Sequence, residues 1–458
     1  MLMGQISFFI PIYEKMRHVA LAGNPERRYN KNDIVYFSGG VFFMDVSSVM
    51  SRNAETLSAL YAGKDQTGRY EVLANQFRSR FGGEPELFVS APGRTEVVGN
   101  HTDHNKGRVL AAAVDLDTVA AVSPRSDKKV ELYSDGYARP FRVDLTSLTP
   151  VPSEKETTLA LIRGVAARLS QLGYKVGGFS ACVNSTVLKG SGLSSSAAFE
   201  VLLVAIFDAV YNGWVVDPKL NAQISQYAEN VFFGKPCGLM DQMASSVGGL
   251  VTIDFGPDSP VVEALQYDFG KKGYDLCVVS AGGEHGNLTA DYAAIPAEMK
   301  AVAAALGREV LQGVTGEELM EKLPQLKNKV PDRALLRAFH FVDENQRVTR
   351  AVEALRRDDL PAFFAAEIES GESSWMLLQN LYVAKSDNQE MCLALEMSRR
   401  MLTGKGAWRI HGGGFAGTIL AFVPKDMTET YARAMNGVFG ENACKVLAIR
   451  PRGAVVIR

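Results

Sequence analysis

An α+β fold built in layers is what this 458-residue chain predicts, and three observations predict it. Segments rich in small and β-branched residues mix with amphipathic segments of helical period, without the strict strand–helix alternation of a doubly wound parallel sheet. The length exceeds what one small core accommodates, so two domains of ordinary size plus an extra piece are expected. At Lys189-Gly190-Ser191-Gly192-Leu193-Ser194-Ser195-Ser196-Ala197, two glycines and three consecutive hydroxyls open onto a long apolar run.

Taken in order, residues 1–67 carry several methionines, Pro11, Pro25 and a polar stretch at 24–33, and no motif. They are expected to form an extension, partly disordered or loosely docked. The apolar segment 6–12 has no basic residue before it, contains Pro11 and is followed by Glu14 and Lys15, which is not the pattern of a signal peptide. Regular patterning starts near Tyr70. Helical spacing is expected over 72–81, 158–172, 195–211, 220–233, 295–306, 333–355, 360–368 and 389–402. Strands are expected over 88–90, 109–122, 130–133, 179–187, 250–254, 276–280, 408–411, 418–423, 445–448 and 455–457. The run from Ser195 to Tyr211 is almost wholly apolar, so that helix belongs inside.

Composition narrows the function classes. A net charge of −2 gives no electrostatic case for nucleic acid. No apolar run reaches the roughly 18 residues of a bilayer span, so no membrane partner is expected. The five cysteines are scattered without a Cys-x-x-Cys pair, as for reduced thiols of a cytoplasmic protein.

Four constellations carry chemistry. In the glycine–serine loop, the turn lets backbone approach a ligand, and a helix N-terminus favours an anion. A plain strand-to-helix turn capped by Ser194 accounts for one glycine and one serine and leaves the rest unexplained. A phosphate cradle explains them all, and a hydroxyl at the helix start is also able to hold Mg²⁺. The second constellation runs from Ala91-Pro92-Gly93-Arg94 to His104-Asn105. Its Asn100, His101 and Asp103 suit the hydroxyls of a small polyol, or equally a turn. Arg94 suits a phosphoryl clamp or an ordinary surface arginine. The third, Pro236-Cys237-Gly238-Leu239-Met240-Asp241-Gln242-Met243, sets a carboxylate in apolar company, where it is more often paired or functional than merely solvated. Cys237 lacks an evident His or Asn partner and is read as packing. The fourth, Arg409-Ile410-His411-Gly412-Gly413-Gly414-Phe415-Ala416-Gly417, marks sharply bending backbone or a strand-to-helix connection.

In this order and spacing the motifs resemble the galactokinase branch of the GHMP kinases over roughly residues 70–458. The first signature of that family, approximately Gly-Arg-x-Asn-x-Ile-Gly-Glu-His-Thr-Asp-Tyr-Asn-x-Gly, corresponds to Gly93 through Gly107, with Glu96, Val98, Asn100 and His104 as departures. The second, Gly-x-Gly-Leu-Ser-Ser-Ser-Ala, matches Gly190 to Ala197, with Leu188 where a proline is usual. The third matches Gly412 to Gly417, and the Cys237–Gln242 string and Asn345-Gln346-Arg347-Val348 are similar to the galactokinase branch.

The resemblance implies a two-lobed GHMP kinase fold. A ribosomal-S5-like N-terminal domain (68–265) would carry the first two motifs and a ferredoxin-like C-terminal domain (266–458) the third, after the extension 1–67. It implies an ATP-dependent kinase that phosphorylates the anomeric C1 hydroxyl of a galactose-type sugar, with Asp241 and Arg94 catalytic. Gly190, Ser191, Gly192, Leu193, Ser194, Ser195 and Ser196 would hold the ATP phosphates, Ser134 would be a further ATP contact, and Ser196 and Glu229 would be Mg²⁺ ligands. Asn100, His101, Thr102, Asp103, Gly238 and Tyr292 (seven residues after His285) would bind the sugar. A monomer is expected. Asn100 stands where the family has a glutamate that takes a sugar hydroxyl, typically the one on C6. The resemblance therefore leaves room for weaker galactose binding or for a C6-modified sugar such as galacturonate. Segment 369–376 also lacks the family's usual pattern. A rival of another class is a non-catalytic sugar and ATP sensor, against which stand the intact Arg94, Asp241, Glu229 and three serines.

Overall fold

The computed structural model describes residues 45–187, 192–282, 288–382, 387–415 and 417–458. Leu188, Lys189, Gly190, Ser191, His285 and Ala416 lie outside the described residues, as do residues 1–44 of the expected extension.

The first sheet joins β1 (Leu87–Val98), β2 (Arg108–Pro124), β3 (Lys129–Ser134), β4 (Phe141–Asp144), β5 (Phe179–Ser185), β6 (Leu250–Asp254) and β7 (Val261–Leu265). The second joins β8 (Tyr274–Gly282), β9 (Ala407–His411), β10 (Gly417–Pro424) and β11 (Cys444–Leu447). The last strand, β12 (Val455–Ile457), returns to the first sheet and pairs with Phe88–Ser90. That sheet has the order β12-β1-β2-β5-β3-β4. β6 is paired to the N-terminal half of β2 and β7 to β6. All its pairs are antiparallel except β3–β5.

Side chains alternate across a strand, and the core divides accordingly. Val89, Ala91, Ala120 and Val122 face the helices Thr158–Gln171 and Ser195–Phe207. Phe88, Val119 and Ala121 face the opposite side, where the helix Thr67–Phe81 packs with Val49, Leu57, Leu60 and Tyr61. Residues 46–60, grouped by sequence with the extension, are thus two short helices with apolar positions buried in the sheet's second layer. The run Ser195–Asn212 is long and apolar enough for a bilayer span by length and composition, and two-thirds of it is buried inside the fold.

In the second sheet the order β11-β8-β10-β9, all antiparallel, is the ferredoxin-like arrangement that the resemblance implied. The helices Asp332–Arg356 and Leu360–Ser373 cover one face through Leu276, Val278, Leu420 and Phe422. The helices Glu390–Leu402 and Thr428–Phe439 cover the other.

Several elements escape the sequence pattern. β1 continues into the first signature as far as Val98, with register shifts between Pro92 and Arg94 and between Glu96 and Val98. A proline is tolerated in a strand at such bulges. The helices Met240–Val247, Gly316–Leu326 and Thr428–Phe439 and the strands β4 and β7 were not expected. The glycine-rich fourth motif joins two antiparallel neighbours, β9 and β10, and is not a strand-to-helix connection.

Candidate active site

The site forms where β1, the start of the helix Ser195–Phe207 and the first turn of the helix Met240–Val247 meet. Arg94 comes from the bulged part of β1 and is buried. Its Nε donates to Asp241 Oδ1 at 2.6 Å and its Nη1 to the Gly192 carbonyl at 2.7 Å. Ser194 donates its hydroxyl to Asp241 Oδ2. Ser194 occupies the N-cap position with φ 56°, and its side chain caps no backbone N–H, being turned to the carboxylate. Burial works to raise the Asp241 carboxyl, but Arg94 and Ser194 outweigh it and hold it below the ordinary carboxylate range. Gly192 is required on two counts: its φ is +72°, and a Cβ there would lie 2.3 Å from Thr418 Oγ1.

A cavity of about 260 Å³ is walled by Arg94, Asp241, Gly192, Ser194, Ser195 and Ser196 on one side. Lys235, Tyr292, His411, Gly413, Gly414, Gly417 and Thr418 complete it. The structure therefore gathers Gly192 and the three serines of the glycine–serine loop, the Arg94–Asp241 pair and the glycine-rich segment after β9 around one space. Leu193 is buried behind the loop, and its carbonyl accepts from the Arg94 N–H at 3.1 Å.

Of the other residues singled out in the sequence, Tyr292 lines this space, whereas Asn100, His101, Thr102, Asp103, Gly238, Glu229 and Ser134 are not part of its wall. His101 Nε2 lies 3.1 Å from the Gly413 carbonyl, and Tyr292 donates its hydroxyl to the Gly414 carbonyl at 2.8 Å. Burial lowers the His101 pKa to about 4, so its ring is neutral at pH 7. Asp103 abuts Gly238 so closely that a Cβ on that glycine would sit 1.6 Å from Asp103 Oδ2. Thr102 is buried, and its hydroxyl is bonded to the carbonyls of Gly99 and Arg108 at 3.0 and 2.6 Å, which ties the turn. Ser134 ends β3 opposite Val183 of β5. Glu229 is buried in the π-helical turn Ala228–Phe233. Its Oε1 faces Lys235 Nζ at 3.3 Å and its Oε2 accepts from Gln242 at 2.8 Å. Burial and Glu229 push the Cys237 thiol far up, which excludes a thiolate nucleophile.

Asn100 is the most instructive placement. It is fully buried, and both ends of its amide are engaged. Nδ2 donates to Glu96 Oε1 at 2.8 Å and to the Gly412 carbonyl at 2.7 Å, while Oδ1 accepts from Asn380 at 2.9 Å. Glu96 Oε1 also accepts from Arg409 Nη2 at 2.9 Å. From the helix Asp332–Arg356, Glu344 Oε1 accepts the N–H groups of Gly99 and Asn100 at 2.9 and 3.2 Å, and His340 Nε2 sits 3.0 Å from the Asn100 carbonyl.

Comparison with known proteins places this geometry. The galactokinase galactose-binding signature matches residues 75–124, and the GHMP kinases N terminal domain matches residues 160–249. The galactokinase of Streptomyces coelicolor is 32% identical over 384 residues, covering 82% of this chain and 94% of that protein. The Homo sapiens galactokinase is 32% identical over 402 residues, covering 84% and 97%. The chain belongs to the galactokinase family. Its fold agrees: the crystal structure of Lactococcus lactis galactokinase complexed with galactose superposes with a TM-score of 0.74 at 23% identity, covering 84% of this chain and 99% of that one. A mevalonate kinase structure superposes at 0.56 with 15% identity, covering 80% and 99%.

Against the galactokinase signature, the residues that depart at 96 and 100 are in direct contact. The family pattern has an amide at the first position and a carboxylate at the second. This member has the carboxylate first and the amide second, and the two are hydrogen-bonded to each other. Their spacing of four and opposite sense are the signal in the sequence that links them. Arg409, Asn380, Glu344, His340, Gln242 and Lys235 were also missed as contributors. Arg409, Asn380, Glu344 and His340 act through partners far away in the chain, which a local motif does not reveal.

Behind Arg409, Glu367 is fully buried with neither carboxylate oxygen hydrogen-bonded. Burial, with Glu344 and Glu96 nearby, raises its pKa well above the ordinary 4.5 despite Arg409. A raised folded pKa gives stability that is present below the unfolded value and lost as pH rises toward the folded one. Glu367→Gln, which mimics the protonated acid, is therefore expected to match wild type near pH 4.5 and to be the more stable protein at pH 8. The gap should widen by about 1.4 kcal/mol per pH unit while only the folded group keeps its proton. Thermal midpoints of both proteins across that range check it, and a gap that does not grow with pH contradicts it.

Proposed function

We propose that the chain transfers the γ-phosphoryl group of ATP to the anomeric C1 hydroxyl of galactose, giving galactose 1-phosphate and ADP. The observation that carries this reading is the Arg94–Asp241 ion pair in the wall of a cavity that also receives the start of the helix Ser195–Phe207. The first N–H groups of that helix have no intrahelical partner and favour phosphate oxygens. Ser194, Ser195 and Ser196 add hydroxyls, with Gly192 and Leu193 as the backbone of the cradle. Gly190, Ser191 and Ser134 belong to the same proposed ATP set.

Phosphoryl transfer needs positioning and charge neutralisation more than covalent chemistry from the protein. Asp241, ionised by its partners, accepts a hydrogen bond from the C1 hydroxyl and aims that oxygen at phosphorus. The new bond joins the sugar oxygen to γ-phosphorus, the bond to the β,γ-bridging oxygen breaks, and the hydroxyl proton passes toward Asp241. As charge grows on the phosphoryl oxygens it attracts Arg94. That attraction loosens Arg94's hold on Asp241 and leaves the carboxylate more basic when the proton must leave. His101, Asp103, Gly238 and Tyr292 would hold the sugar. Asn100 and Thr102 would act by shaping the loop that carries His101 and Asp103.

The donor set also fits Mg²⁺. An ion that keeps phosphate and water ligands needs only one or two protein oxygens, which Ser196, facing the cavity, and Glu229, bonded to the cavity-lining Lys235, would supply. Mg²⁺ bound there would neutralise phosphate charge. Five free, dispersed cysteines support a reducing, cytoplasmic setting.

A panel of galactose, glucose, galacturonate and N-acetylgalactosamine with Mg·ATP, read by ADP release, tests the reading. Galactose is expected to give the highest turnover. ADP release that no sugar stimulates would sink the proposal.

A further inference from the structure

We propose that Lys235 is a second cation of the donor site, and that it contacts the phosphate oxygens of ATP beside Arg94. The inference rests on the kinase reading above and adds a residue to it.

Lys235 shares the cavity wall with Arg94, Asp241, Ser194 and Ser196. These are two cations, one anion and the hydroxyls at a helix start. Arg94 is already engaged, with Nε on Asp241 and Nη1 on the Gly192 carbonyl, so much of its charge is balanced before any nucleotide arrives. Lys235 is placed differently. Its side chain is 62% exposed, and its bond to Glu229 Oε1 is 3.3 Å, longer than the 2.7–2.9 Å of a well-formed charged pair. An ammonium has three N–H donors, so phosphate oxygens can be engaged without giving up Glu229. The backbone beneath it is anchored. The N–H groups of Gly234 and Lys235 both donate to the Glu229 carbonyl, at 2.9 and 3.2 Å, and Cys237 N donates to Asn230 Oδ1 at 2.8 Å. A fixed Cα with a flexible four-carbon stem lets the charge follow a phosphate group.

The competing role is a plain counterion for the buried Glu229. The two roles separate in nucleotide affinity measured without metal. ATP binding to wild type, Lys235→Met and Lys235→Arg is measured by calorimetry in EDTA, and the Michaelis constants for ATP and galactose are measured with Mg²⁺. Loss of a charge-assisted contact predicts ATP binding about ten- to a hundredfold weaker in Lys235→Met. Lys235→Arg should recover most of it, with the ATP Michaelis constant raised and the galactose constant unchanged. ATP affinity within twofold of wild type in folded Lys235→Met, or in Lys235→Gln should the first variant misfold, overturns the proposal. Wild-type turnover of galactose and ATP in the same preparation tests the kinase reading separately. If it is present while Lys235→Met binds ATP normally, only the Lys235 assignment falls.

Discussion

Asp241→Asn is expected to leave ATP binding nearly intact and to lower kcat about 10²- to 10⁴-fold, the range for losing a positioned acid–base group. The amide oxygen still accepts from Arg94 Nε, which sits 2.6 Å from Asp241 Oδ1, so the pair keeps its geometry while losing its negative charge. What disappears is the acceptor that aims the sugar hydroxyl and takes its proton. The effect should therefore fall on kcat and not on the ATP Michaelis constant. Steady-state kinetics with both substrates varied checks this. A variant within threefold of wild-type kcat would remove Asp241 from the chemistry.

Asn100→Glu carries the second large expectation, and it is a loss of stability before any change of substrate. The Asn100 amide donates two hydrogen bonds, to Glu96 Oε1 and to the Gly412 carbonyl, in a fully buried position. A glutamate there would remove both donors and set a second carboxylate against Glu96. Uncompensated buried charge of this kind costs about 3 kcal/mol or more. The midpoint of thermal unfolding should fall by several degrees, and galactose turnover should fall with it. The double variant Glu96→Asn with Asn100→Glu restores a donor facing an acceptor and keeps one carboxylate in the cluster with Arg409. It is expected to regain more than half of the lost stability, a coupling that a double-mutant cycle measures directly. Equal losses in the single and double variants would show that positions 96 and 100 are independent.

The exchange also revises the meaning of Asn100. Taken alone in the sequence, an amide in place of a carboxylate pointed to a sugar altered at C6. With Glu96 bonded to it, the pair keeps one carboxylate and one amide in adjoining positions with their order reversed. This removes the need for an anionic sugar to explain the substitution.

How far the sequence was legible depends on the range of the forces involved. The glycine–serine loop and the apolar helix after it were legible because their determinants are local: glycine conformations, a helix start and a continuous buried run. Arg94 and Asp241 are 147 residues apart, yet each sits in a recognisable string, so their meeting was implied by the resemblance. The helix Met240–Val247 was not legible. It has only eight residues and no side-chain cap at Leu239, and it owes its form to packing against the first sheet. The orientation of Asn100 was equally hidden. Its partners include Asn380 and Gly412, 280 and 312 residues away, and no local pattern specifies which way an amide turns. In the sequence β1 has the look of a short strand followed by polar residues, because bulges break the period on which strand recognition depends.

Phosphorus NMR of the product formed from galactose and ATP tests the central claim most directly. The account predicts one new phosphomonoester signal, coupled to the anomeric proton, that rises in step with ADP with wild type and is nearly absent with Asp241→Asn. A phosphate on another carbon, or ADP formed with inorganic phosphate and no sugar phosphate, would contradict it.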